Sequence, residues 1–300
     1  MLQIKKISKA FKDQVILDDV SLTVQKGEII GLVAPNGTGK STLLHIVMNF
    51  LKPDSGQIIM DDQLDYSTRK KEIKMRKEIA FLPEIDDLYQ ELTGLEHIAY
   101  YALLWKRSDK EVQEIVQRLE MGHYVKRPVK TYSLGMRQRL CFAMVLAADT
   151  QVMLMDEVMN GLDPDNVQLL TKILIELKEK NKIILIASHL LENLDLYADS
   201  ILFLKDGKIV LEKRESGDKD GIHIKVVVPE KIFVAMKDEY QLPDGAKYIA
   251  GRLVCIPVQT LTAQDVGKWT SFFYERGYTD LTVGRIGTSE WYSEFYHQEQ

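Results

Sequence analysis

Between Gly31 and Thr42 the chain reads G-L-V-A-P-N-G-T-G-K-S-T, and no other stretch restricts its fold as tightly. The apolar run Ile29 to Ala34 leads into this loop. Leu43, Leu44, Ile46 and Val47 leave it at helical spacing. A strand, a glycine-containing loop and a helix in that order form the setting in which backbone N–H groups wrap a phosphate. Gly37 and Gly39 let those groups turn inward, and the helix N-terminus adds partial positive charge. Lys40 is expected to reach the β- and γ-phosphates of a nucleoside triphosphate, and Ser41 to offer its hydroxyl to Mg²⁺. The usual pattern G-x-x-x-x-G-K-[ST] has a glycine where this chain has Ala34. Alanine disfavours positive φ, so an ordinary backbone conformation is expected there.

Further strands end in polar residues suited to the same chemistry. Val152 to Met155 is short and apolar and runs into Asp156 and Glu157. Asp156 is placed to hold Mg²⁺ directly or through water, which leaves Glu157 to polarise an attacking water as a general base. Ile183 to Ala187 is a similar strand, and His189 follows it, positioned to sense the γ-phosphate or to orient the water and Glu157. Taken singly, each has a plain structural reading: a capped strand end, or a histidine serving the core. Together with the phosphate loop they read as one nucleotide site. Buried strands alternating with helices predict an α/β fold with a parallel sheet covered on both faces.

The 300 residues suggest one large domain or two smaller ones. A net charge of -5 with no long basic run argues mildly against nucleic acid as the main partner, without excluding a local basic patch. Two cysteines, Cys141 and Cys255, both in apolar stretches, fit a reducing compartment. Met1 to Lys6 shows no secretory signal pattern. The apolar runs are short, such as Leu140 to Ala148, and fall well below the roughly 20 residues that cross a bilayer. Work at a membrane would therefore require docking on another chain.

Three regions follow from the pattern. Residues 1–211 form the α/β unit, with a mostly helical lobe over about 84–135. Residues 212–221, E-K-R-E-S-G-D-K-D-G, read as a linker without an apolar residue. Residues 222–300 form a small α+β domain, with strands expected at Ile222–Val228, Ala246–Ala250, Arg252–Val258 and Tyr278–Val283 and helices at Glu230–Tyr240 and Thr262–Glu275. Thr262 and Asp265 have capping-box spacing, and Val266, Trp269 and Phe273 share one face. The order β-α-β-β-α-β suits a ferredoxin-like sandwich.

The motif set resembles the ATP-binding cassette (ABC) ATPases, whose cassette is a RecA-like P-loop fold. Tyr132 to Leu140, Y-S-L-G-M-R-Q-R-L, is similar to the family's signature, in the style of bacterial exporters of drugs, antibiotics and bacteriocins. Asn160-Gly161-Leu162-Asp163 resembles its D-loop. The resemblance spans about residues 1–211. It implies ATP and Mg²⁺ as ligands, with Phe11 stacked on adenine, Val15 beside it, and Asn36, Gly37, Thr38, Gly39, Lys40, Ser41 and Thr42 around the phosphates. It also implies two cassettes paired head to tail, so that Ser133 and the Gly135 N–H meet the γ-phosphate held by the other copy. Glu84 stands where the family has a glutamine near Mg²⁺ and water, Val158 replaces a proline, and Leu134 replaces the signature's first glycine. Leu88, Tyr89, Leu92, Leu95 and Ile98 are expected either to border a groove for a membrane subunit or to form the helical lobe's core. The implied function is the ATPase motor of a membrane transporter, of exporter type, working as a homodimer or with a second cassette chain. A separate transmembrane permease would hold it at the inner face of the cell membrane, on the cytoplasmic side. The weighed alternatives are a soluble cassette ATPase acting on ribosomes or nucleic acid, and a nucleotide-binding module without turnover; Glu157 and His189 argue against the latter.

Overall fold

The structure, a computed structural model, describes residues 1–12, 14–189, 191–214, 221–240 and 242–296. It divides into two compact units, Met1–Glu212 and Lys213–Gln300. The first unit opens with β1 (Leu2–Phe11), β2 (Gln14–Val24), β3 (Glu28–Val33), α1 (Lys40–Val47), β4 (Ser55–Met60), β5 (Leu64–Asp65), α2 (Arg69–Glu78) and β6 (Ile79–Phe81). It continues with α3 (Gly94–Leu104), α4 (Asp109–Arg118), α5 (Leu134–Ala148), β7 (Val152–Asp156), α6 (Pro164–Glu179), β8 (Ile183–Ser188), α7 (Leu191–Leu194), β9 (Ser200–Lys205) and β10 (Lys208–Arg214).

Two sheets organise this unit. The central one has the order β10-β9-β3-β8-β7-β6, and its β9-β3-β8-β7-β6 neighbours run parallel. Its strands β3, β7 and β8 read as continuous apolar runs because both faces are covered: Ile29, Leu32, Leu154 and Leu185 are each 0% exposed. The second sheet, β2-β1-β4-β5, is antiparallel. The strand order matters for function. It sets β3, β8 and β7 side by side, with their carboxyl ends on one edge, although the three segments are far apart in sequence.

The helical stretch after β6 contains α3 and α4, both opened by capping boxes, Thr93 with Glu96 and Ser108 with Glu111. Leu88 and Ile98 are buried, at 3% and 0%, so they are core residues, while Tyr89 and Leu92 remain exposed. Of the two expected readings, the core one holds for Leu88 and Ile98. Helical spacing decides the outcome, since Ile98 lies on the buried face of α3 with Ala102.

The expected linker also needs correction. Residues 212–214 belong to β10, because Asp206 (φ 49°) and Gly207 (φ 76°) form a tight turn that sends the chain back along β9. Residues 215–220 lie outside the described ones.

The second unit runs β11 (His223–Val227), α8 (Glu230–Glu239), β12 (Lys247–Ile249), β13 (Leu253–Pro257), α9 (Ala263–Glu275), β14 (Leu281–Gly284) and α10 (Thr288–Tyr296). Its antiparallel sheet has the order β12-β13-β11-β14. The first six elements are β-α-β-β-α-β, the ferredoxin-like order. Ile224, Val226, Val254 and Ile256 alternate onto one face and pack with Met236 of α8 and Phe273 of α9. The other face meets α10, through Trp291 against Ile249 and Cys255 and through the Lys225 to Glu290 ion pair at 2.6 Å. The sequence reading did not include α10. The last strand starts at Leu281, not Tyr278, and β12 and β13 are shorter than expected.

Candidate functional site

The loop after β3 is shaped by its two glycines. Gly37 has φ 80° and Gly39 φ 108°. At Gly39 even a methyl group would lie 2.9 Å from Ile16 Cγ2 and 3.1 Å from the Ile16 carbonyl oxygen, so both conformation and space exclude a side chain. Ala34 is buried and stays out of the left-handed region, as its side chain requires. Thr38 Oγ1 donates to the Pro35 carbonyl at 2.7 Å and closes the turn. Helix α1 begins at Lys40 with no side-chain cap, which leaves its first-turn N–H groups pointing into the loop. That is the cradle a phosphate fits.

Lys40 Nζ donates to the loop's own carbonyls, Ala34 at 2.6 Å and Pro35 at 3.2 Å. The residue is 5% exposed, and burial lowers its pKa; the Glu157 and Asp156 carboxylates act in the opposite direction. Its charge is thus held beside both carboxylates yet makes no ion pair among the described residues, which leaves it available to an anion. Asn36 and Ser41 are exposed and Thr42 half-buried at the rim.

Asp156 is the last residue of β7, and Glu157 follows with φ 52°. Glu157 N–H donates to the Ala187 carbonyl at 2.9 Å. Its own carbonyl accepts from Asn160 N–H and Gln138 Nε2, both at 3.0 Å. The turn out of the strand is therefore held on three sides. Its Oε2 lies 2.8 Å from His189 Nδ1 and also accepts the His189 N–H at 3.3 Å. A proton on Nδ1 satisfies that contact and leaves Nε2 free to face a ligand. Tyr197 is buried nearby with no hydrogen-bond partner for its hydroxyl among the described residues; burial raises its pKa and Glu157 adds to the rise.

Gln138 was missed by the sequence reading. It is 4% exposed, on the same face of α5 as Cys141 and Val145. A polar residue on a core-facing stripe must have a partner, and that signal was present in the sequence.

The remaining predicted residues stand apart from this centre. Phe11 ends β1 at 47% exposed with Lys9 Nζ 5.5 Å from its ring, and Val15 is 60% exposed on β2. Ser133 caps α5 by accepting from Met136 N–H at 3.3 Å. Gly135 lies against the D-loop: a methyl group there would be 3.3 Å from the Gly161 carbonyl oxygen. Leu134 covers Gly161 (φ 69°) closely enough that a side chain at 161 would collide with it. Among the described residues, no hydrogen bond or ion pair joins Ser133 or Gly135 to Lys40, Ser41 or Asp156. Glu84 is exposed, two residues beyond Leu82, whose N–H bonds the Leu154 carbonyl of β7 at 2.8 Å. No group of three His, Cys, Asp or Glu among the described residues can enclose a metal.

The comparisons agree with this geometry. The family model for ABC transporters matches residues 17–160. The lantibiotic transport ATP-binding protein SrtF of Streptococcus pyogenes is 34% identical over 220 residues, which cover 73% of this chain and 93% of that protein. The chain belongs to the ABC transporter ATPases. It binds and hydrolyses ATP as the ATP-binding subunit of a transporter. The bacitracin transport ATP-binding protein BcrA of Bacillus licheniformis is 28% identical over 286 residues, covering 92% of this chain and 90% of that one. Among solved structures, the ATP-binding subunit of an ABC transporter aligns with a TM-score of 0.65 at 26% identity, covering 72% of this chain and 90% of that one. A dimeric cassette in its post-hydrolysis state, bound to ADP and Pi, aligns at 0.64 and 25%, covering 72% and 100%.

Proposed function

We propose that this ABC ATPase is the motor of an exporter for antibiotic-like peptides, working as a head-to-tail homodimer on a separate transmembrane permease. The Glu157–His189 pair beside the phosphate loop carries the reading, because it equips the site for turnover and not for binding alone. Glu157 takes a proton from the attacking water, and His189 holds the carboxylate in place and presents its other nitrogen toward the γ-phosphate. Lys40 leaves its loop carbonyls for the phosphates. Phe11 and Val15 contact the adenine, and Asn36 to Thr42 surround the phosphates. Ser133 and Gly135 complete the site of the other copy; that no bond among the described residues ties them to their own phosphate loop supports this.

Mg²⁺ would be held by Ser41, Asp156 and Glu84, whose hydroxyl and carboxylate oxygens are the hard donors it takes, with phosphate and water filling the other positions. When bound it would neutralise charge on the phosphates. The exporter direction rests on the names of the lantibiotic and bacitracin relatives. No helix among the described residues is long and apolar enough to cross a membrane; in this reading the permease partner holds the chain at the inner face. We assign residues 1–211 to the cassette and the second unit to an accessory role, in packing, dimer support or regulation.

The test is a pull-down of tagged chain from detergent-solubilised membranes, with mass spectrometry of the partners. Recovery of a chain with several predicted spanning helices is expected. Ribosomal or DNA-repair proteins in its place would overturn the permease reading and favour a soluble ATPase.

A further inference from the structure

Helix α2 reads R-K-K-E-I-K-M-R-K-E, a concentration of positive charge in a chain whose net charge is -5. Successive residues turn by about 100° around a helix. Lys70, Ile73, Lys74 and Lys77 therefore share one arc, opposite the buried Met75. All four are exposed, and Ile73 is 50% exposed. The cations outside this arc behave differently. Lys71 pairs with Asp65 at 2.9 Å, and Arg76 pairs with Glu72 at 3.1 Å and donates to the Asn49 carbonyl at 3.2 Å. They fasten the helix to the domain. Lys70, Lys74 and Lys77 make no ion pair among the described residues, and the exposed Arg69 and Glu78 flank their arc. Trp105 Nε1 donates to the Lys77 carbonyl at 3.1 Å and ties the end of α3 to the end of α2. Leu103 and Leu104, 73% and 55% exposed, and the exposed Lys106 lie beside that junction.

We propose that this face of α2 docks directly on an anionic lipid surface. The three lysines meet headgroup phosphates and Ile73 enters the interfacial layer, with the α3 leucines at its margin. A basic helix face with an exposed apolar residue at its edge has the chemistry of an interfacial helix. A nucleic acid would use the lysines but gain nothing from Ile73, and the arc has no aromatic ring on which a base would stack. This contact is separate from the permease, so its failure would leave the transporter reading standing.

The experiment is vesicle flotation of the full chain without permease, comparing phosphatidylcholine vesicles with vesicles that also contain phosphatidylglycerol. Binding is expected only to the phosphatidylglycerol vesicles and should weaken with salt. At about fivefold per lysine, Lys70→Gln, Lys74→Gln and Lys77→Gln combined should lower it by about a hundredfold. Ile73→Gln should lower it severalfold, with basal ATPase activity unchanged in both variants. Three results would overturn the proposal: no binding dependent on phosphatidylglycerol, a triple variant that binds like the parent, or binding of a duplex oligonucleotide in place of vesicles.

Discussion

Replacing Glu157 with glutamine separates chemistry from architecture. The backbone of residue 157 is held by Ala187, Gln138 and Asn160 through hydrogen bonds that do not involve the changed group. A glutamine oxygen still accepts from the His189 ring and N–H, so the side chain keeps its place. What disappears is the negative charge and the ability to take a proton. General-base catalysis contributes about 10²- to 10⁴-fold, or ~3 to 5.5 kcal/mol of barrier. The expected outcome is a fall in kcat of that size. Nucleotide affinity should stay near the parent's, and the thermal midpoint should move by less than about 4 °C. Phosphate release at saturating ATP measures the first, titration calorimetry the second and scanning calorimetry the third. Because closure without hydrolysis should accumulate, ATP should also convert the variant to a dimer in light scattering. A kcat within tenfold of the parent, with binding intact, would refute the role given to Glu157.

Other substitutions test the supporting structure. Gly39→Ala places a methyl group against Ile16 in a left-handed conformation, so ATP binding should be lost with about 1–3 kcal/mol of stability, read by calorimetry and denaturant melts. Gln138→Leu removes one donor to the Glu157 carbonyl, leaving Asn160; kcat should drop by about tenfold or more with KM unchanged, and stability by about 1–2 kcal/mol. Asp65 holds α2 through Ser67 and Lys71, and hydrogen bonds from them, Ser67's hydroxyl first, lower its pKa from 3.8 to about 2. Since the folded value is depressed, its stabilisation is complete above about pH 4 and is lost as pH falls through about 2. Asp65→Asn should therefore melt below the parent at pH 7, with the gap closing between pH 4 and 2; a gap that persists at pH 2 would contradict this.

The cassette's chemistry was legible in the sequence because each part is a local string at the end of a strand. Gly37 to Ser41, Asp156-Glu157 and His189 each follow an apolar run that only a buried strand explains. What the strings do not state is the order β3-β8-β7, which makes the three runs neighbours and sets His189 against Glu157. In the second unit, α9 and its cap were legible, since Thr262 and Asp265 lie within one turn. Helix α10 was not. Glu290 bonds Lys225 on β11 and Glu294 bonds the N–H of Ala250, so its position depends on residues far away in sequence.

The signature shows most clearly why a motif is more than its letters. Leu134 looked like a departure with no evident consequence, yet its side chain lies on Gly161 and fastens the start of α5 to the D-loop. The same helix has Ser133 at its cap and Gln138 about 7.5 Å further along its axis, bonded to Glu157. A helix of this kind is stiff over one and a half turns, so its cap cannot shift without moving its hold on the catalytic strand end. Ser133 and Glu157 are therefore mechanically joined inside one chain, and under the proposed head-to-tail pairing this would link the two sites of the dimer. The helix cap at Ser133 and the strand end at Glu157 are then two ends of one rigid element, and Gln138 is the residue that joins the second end to it.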